Sequence, residues 1–128
     1  MGQVNSYKDI VAWQHAHKLV LLTYKLTQTL PDTEKFNLIS QMRRAVVSVT
    51  SNIVEGHARA TVKDSLHFYN MALASLTELR YQYLICKDLD FLDEITYESI
   101  RKKCRHVGSL IYNWAQSQKA NAGLIKKQ

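Results

Sequence analysis

One proline and four glycines are all that punctuate a chain of 128 residues. Sheet folds turn the chain about every ten residues, mostly at Gly, Pro, Asn and Asp. A sequence so poor in breakers is confined to long helices with few connections. Pro31 lies in "LPDTEKFN", a polar segment that ends the first helical stretch and forms the first loop. "DLDFLD" marks the second major turn. The length suits one domain with a real core. Residues 1–120 are expected to form it, with 121–128 as a flexible basic tail.

Capping signals place four helices between these breaks. The first runs from Ser6 or Asp9 to Thr29, with Ser6 and Asp9 at the spacing of a capping box. The second runs from Asn37 to His57. The third starts at the N-cap Thr61, with Asp64 three residues on, and runs to Leu89. Asp93 caps the fourth, which continues to Gln118. Short connections make sequential helices antiparallel, so the expected fold class is all-α, an up-down-up-down four-helix bundle.

The fourth helix has the clearest seam. Tyr97, Ile100, Cys104, Val107, Ile111 and Trp114 follow steps of three and four, which holds them on one stripe. In the second helix, Leu38, Met42, Ala45, Val46, Val49, Ile53 and Gly56 form one broad face, while Val47 and Val54 lie off it. The third has a core stripe of Leu66, Tyr69, Leu73, Leu76 and Tyr83, but Met71, Tyr81, Ile85 and Leu89 fall elsewhere. A monomeric bundle needs about three apolar positions in seven per helix. The surplus predicts a second buried surface, read as a homo-oligomer contact, with scattered exposed apolar residues as the alternative.

"SQMRRAVVSVTSNIVEG", Ser40 to Gly56, interleaves polar residues with that apolar face. Gln41, Arg44, Ser48, Asn52 and Glu55 line one flank. Arg44 and Glu55 are three turns apart and need partners elsewhere, with Glu78 and Arg80 of the third helix as candidates. Arg80 falls within that helix's apolar face, where an unpaired charge is costly. The set reads as a buried or interfacial polar network that sets register. The alternative is a phosphate-binding strip that uses Arg43 and Arg44.

The net charge is +6, from 17 Lys and Arg against 11 Asp and Glu. That surplus favours a polyanionic partner, RNA, DNA or an anionic membrane, against a merely basic solvated surface. The densest run is "RKKCRH", where Arg101, Lys102, Lys103 and Arg105 suit sequence-independent phosphate contact. Lys126 and Lys127 could extend it. The competing reading is a solvated helix face.

Catalytic and metal motifs are missing. No Glu has His three residues on, as di-iron bundles require. His15 and His17 project about 200° apart on a helix and cannot share a metal. No phosphate loop, GxSxG or HExxH is present. Cys86 and Cys104 fit no zinc or CxxC spacing and read as reduced thiols. The polar start "MGQVNSYKDI" is no signal peptide, and "LVLL", Leu19 to Leu22, is too short to span a bilayer, so a cytoplasmic protein with no membrane partner is expected. Gly2 with Ser6 is a partial N-myristoylation match.

Arg101 and His106 form an Arg-x4-His on a helix, which resembles the RNase motif of HEPN domains, though Lys102 stands where a polar residue usually follows. This leaves a ribonuclease with that acid–base pair as one alternative. The broader resemblance lies in "SYKDIVAWQHAHKLV", "LISQMRRAVVSVTSNIVEG" and "FYNMALASLTELRYQYLICKDLDFL". Together these resemble the four-helix-bundle family encoded in 23S rRNA intervening sequences, which includes accessory variability proteins of diversity-generating retroelements. Matching positions are Trp13, Gln14, Ser40, Gln41, Arg43, Arg44, Asn52, Glu55, Gly56, Ser75 and Glu78. Thr50 stands where many members carry Pro, so the kink expected of the family's second helix is not required here.

The resemblance implies a ring-like homopentamer without enzymatic activity or cofactor. It also implies nucleic acid and a nucleic-acid-processing protein as partners. The expected function is therefore a non-catalytic accessory protein that binds nucleic acid, RNA before DNA, through its basic surface. A structural or protein-interaction scaffold is the competing class.

Overall fold

A computed structural model describes residues 4–126, in which four α-helices and two short 3-10 turns occur and no strand does. Gly2 and Lys127 lie outside the described residues. The Ser6–Asp9 capping box forms, but it caps a single 3-10 turn, Tyr7–Asp9. Ile10 then turns to extended backbone and buries its side chain, so helix α1 spans only Val11–Thr27. Gln14 Nε2 donates to the Lys8 carbonyl at 2.8 Å and ties the turn to the helix. The second 3-10 turn, Asp32–Glu34, follows Pro31.

Helix α2 covers Leu38–His57, α3 Val62–Asp88 and α4 Glu94–Asn121. The N-caps expected for α3 and α4 are present: Thr61 Oγ1 accepts from Asp64 N, and Asp93 Oδ1 from Thr96 N. That bond holds the Asp93 carboxyl below its ordinary pKa. Both later helices end in a Schellman turn. At the end of α3, Asp90 takes φ of 62°, and Phe91 N donates to Cys86 O at 2.8 Å. At the end of α4, Gly123 takes φ of 75° and Leu124 N reaches Lys119 O, three residues beyond the expected end at Gln118.

Each helix packs against its sequence neighbours, and α1 also meets α4. The α2–α3 contact is the most extensive and α1–α4 the least. All seven residues expected on the inner face of α2 are buried. In α4, Ile100, Cys104, Val107 and Ile111 are buried, with Tyr97 and Trp114 half-buried at the stripe's ends. Helix α2 runs unbroken through Thr50, whose hydroxyl bonds to the Val47 carbonyl at 2.9 Å.

The face of α3 is rotated from its expected position. Tyr69, Leu76 and Tyr83 are buried as expected, but Ala72, Leu79 and Cys86 complete the buried face, while Leu66 and Leu73 are only half-buried. Arg80 lies next to Leu79, about 100° around the helix, and is exposed. Its placement inside the apolar face is thereby corrected. Apolar residues do remain outside the core: Val47, Met71, Tyr81 and Leu89 are exposed, as are Leu21 and Tyr24 of α1. Among the described residues, no helix is long and apolar enough to cross a membrane.

Candidate functional site

The polar flank of α2 divides into a buried part and a surface part. Ser48 Oγ lies 2.8 Å from Ser75 Oγ of α3, and Asn52 Nδ2 donates to the Ser48 carbonyl at 2.8 Å and to its hydroxyl at 3.1 Å. Small side chains let α2 and α3 approach closely, and the hydroxyls satisfy one another within the contact. Gly56 serves the same approach, because a Cβ there would lie 2.8 Å from Cδ1 of the buried Tyr69 ring.

The charged members find no partner across helices. Glu55 pairs with Arg59 one turn on, and Arg59 covers the Phe68 ring at 4.3 Å. Gln41 Nε2 donates to Asn37 Oδ1 at 3.0 Å. Glu78 accepts from Gln82 Nε2 at 3.3 Å. Arg44 and Arg80 are exposed and form no ion pair among the described residues. The expected network thus reduces to Ser48, Asn52 and Ser75. The buried Gln82 was missed, because a lone Gln gives no periodic signal.

Arg43 is half-buried and tied to α1. Its Nε donates to Thr27 Oγ1 at 2.9 Å, and its guanidinium lies 4.7 Å from the Tyr24 ring centroid. Thr27 Oγ1 donates in turn to the Thr23 carbonyl at 2.7 Å, and Thr23 Oγ1 lies 2.7 Å from the Tyr83 hydroxyl. The chain of contacts crosses from the surface of α2, through α1, to α3. Burial pushes the Tyr83 hydroxyl pKa well up. Arg43 therefore braces α1 against α2 through Nε, while its terminal nitrogens stay at the surface, one of them 3.4 Å from the Tyr24 carbonyl.

The basic run of α4 also divides. Arg101 Nε donates to both Glu98 oxygens at 3.2 Å, and this bond is the chief reason the Glu98 carboxyl titrates below its ordinary value. Lys103 Nζ donates to Ser99 Oγ at 2.9 Å. Lys102 and Arg105 are exposed without an ion pair among the described residues. Arg101 lines a cleft with Arg80, Tyr81 and Tyr97, whereas His106 lines two others further round α4. Five residues on a helix turn the side chain by about 140°, so within one chain Arg101 and His106 face different clefts.

Helix α1 adds what the sequence reading overlooked. His15 meets His106 edge to face, with ring centroids 5.0 Å apart. His17 points the other way and stacks on Trp13 at 4.9 Å, so the two histidines of "HAH" diverge as their spacing implies. Lys18 and Lys103 flank the His pair, over a cleft of about 220 Å³ floored by Leu19, Leu22 and Val107. The signal was available: no acid occurs between Asp9 and Asp32, or after Glu98. Together α1 and α4 carry seven Lys and Arg against two acids, while α2 and α3 carry five against four.

The two thiols lie apart from this face. Cys86 and Cys104 are free and buried, and burial pushes each up to about 11. Among the described residues, no group of three or more His, Cys, Asp or Glu could hold a metal ion.

The family model described as "23S rRNA-intervening sequence protein" matches residues 8–113. A solved structure titled as a protein of unknown function from the S23 ribosomal protein family of Bacteroides thetaiotaomicron is similar, with a TM-score of 0.77 and 22% identity. The match covers 85% of this chain and 98% of that one. No curated protein matches the chain.

Proposed function

The chain belongs to the 23S rRNA-intervening sequence protein family, and from that premise we propose a non-catalytic protein that binds RNA through the α1–α4 face. The observation that carries this reading is the basic excess of this face, where Lys18, Lys102 and Lys103 line clefts with His15 and His106, and Arg105 is exposed on the same helix as His106. Exposed cations in excess over acids release counterions on meeting phosphate, which drives sequence-independent binding. RNA is favoured over DNA by the family's name alone.

The protomer is read as an antiparallel up-down-up-down bundle. Contacts pair the end of α1 with the start of α2 at Thr27 and Arg43. They pair the start of α2 with the end of α3 at Met42 and Cys86, and the end of α3 with the start of α4 at Lys87 and Glu94. Exposed Leu21 and Tyr24 of α1 and Val47 of α2 support a second copy as partner. A ring-like homopentamer follows from the resemblance described above. That stripe would serve equally in a scaffold without RNA.

Filter binding of the oligomer to RNA and DNA across a salt series tests the proposal. Retention that falls steeply with salt, and is lost in Lys102→Glu/Lys103→Glu, is the expected result. No retention at low ionic strength would leave only the scaffold. Retention unchanged by the charge reversal would move the binding face elsewhere.

A further inference from the structure

Resting on the RNA-binding reading, we propose that the α1–α4 cleft receives one unpaired base, so the ligand is single-stranded RNA rather than duplex. A surface that reads phosphate alone needs cations and no cavity. Here the cations rim a cavity whose floor is apolar: Leu19 and Val107 are each 2% exposed and Leu22 is half-buried. Its volume of about 220 Å³ admits one heterocyclic ring system and excludes a helix of paired bases.

The wall supports the same occupant. His15 and His106 meet at 87° between ring planes, where neighbouring helices ordinarily oppose aliphatic side chains. An imidazole pair offers a ring on which a base can stack, and ring nitrogens that can bond its edge. Lys18 and Lys103 stand at the mouth, placed for the phosphates on either side of an inserted base. A base needs an apolar floor, an aromatic wall and a cationic rim, and all three coincide at this cleft. Base–aromatic stacking is sequence-tolerant, so little sequence preference is expected.

The test uses the full-length chain and a short RNA carrying a single 2-aminopurine, offered as single strand and as duplex at one fixed low salt. The single strand should bind at least about tenfold more tightly, with a change in aminopurine fluorescence. His106→Ala should weaken single-strand binding by about tenfold, as loss of one stacking partner does. Leu22→Trp, which fills the cleft from its half-buried edge, should do the same. In both variants the salt slope, set by the lysines, should persist, and circular dichroism should verify the helical fold. Equal binding of single strand and duplex, or variants that bind like the parent, overturns the base cleft and leaves the RNA-binding face standing. Absence of binding to either form at low salt overturns both.

Discussion

Two helix seams of this protein solve opposite problems. The α2–α3 seam is the most closely packed, and it is made of residues that let backbones approach: Gly56 under the Tyr69 ring, Ser48 against Ser75, and Met42 with its sulfur 3.6 Å from that of Cys86. The α1–α4 seam is the least packed, meets through two imidazoles, and leaves a cleft with lysines at its mouth. A close seam excludes water and cannot hold a free cation cheaply. A loose one keeps its cations solvated and available. The closest packing and the proposed RNA-binding face therefore lie on different sides of one four-helix protomer.

Substitutions should separate the two seams, beginning where the effect is largest. Gly56→Ala places a Cβ against the Tyr69 ring and should cost about 2–4 kcal/mol in urea unfolding. Gly108→Ala meets only the tip of Leu76, 3.3 Å away, and gains about 1 kcal/mol of helix propensity, so its net change should be close to zero. Gly108 faces α3, so equal losses at the two glycines would mean that the α2–α3 seam is no closer than the α3–α4 seam.

Alkaline pH probes the buried side chains next. Cys86 and Cys104 are pushed up to about 11 from 9.0, so between those values the unfolded chain loses protons that the folded chain keeps. Their contribution is intact below pH 9 and is lost as pH rises toward 11. The loss should be on the order of 2 kcal/mol per thiol. The buried Tyr69 and Tyr83 hydroxyls, also raised, act in the same direction at higher pH. Melting from pH 8 to about 10.5 checks this, and Cys86→Ala should flatten the decline.

Tyr83→Phe leaves the Thr23 hydroxyl buried without its partner and should cost about 1–3 kcal/mol. If that bond matters as a pair, Thr23→Val/Tyr83→Phe should be less damaging than the sum of its single variants, a comparison a double-mutant cycle makes directly. At the small end, Lys103→Glu alters only an exposed side chain bonded to Ser99 and should change stability by less than about 0.5 kcal/mol. Salt-dependent RNA retention should fall all the same. A stability loss as large as that of Gly56→Ala would mean that the α1–α4 seam is structural after all.

Much of this fold can be read in the sequence, because helices announce themselves locally. The steps of three and four from Tyr97 to Trp114, the cap residues Thr61 and Asp93, and the seven inner positions of α2 depend on periodicity along one segment. The same logic separated His15 from His17. Where neighbouring helices decide, sequence reading failed. The buried face of α3 turned by about 60°, which exposed Arg80 and buried Gln82. Ser6 and Asp9 formed their capping box on a 3-10 turn, because the buried Ile10 broke the path into α1.

The sequence by itself determined the helices, the inner faces of α2 and α4, the basic surplus and the family. Only the tertiary structure decided which charges are free. Arg43 and Arg44 are adjacent and alike in composition, yet Thr27 and Tyr24 hold one while the other faces solvent. Lys18 and Lys103 are 85 positions apart in the sequence, yet they flank one cleft because α1 and α4 meet. Periodicity is a property of one helix. The partner of a charge depends on the rotation and spacing of two helices, and these are set by core packing across the whole chain.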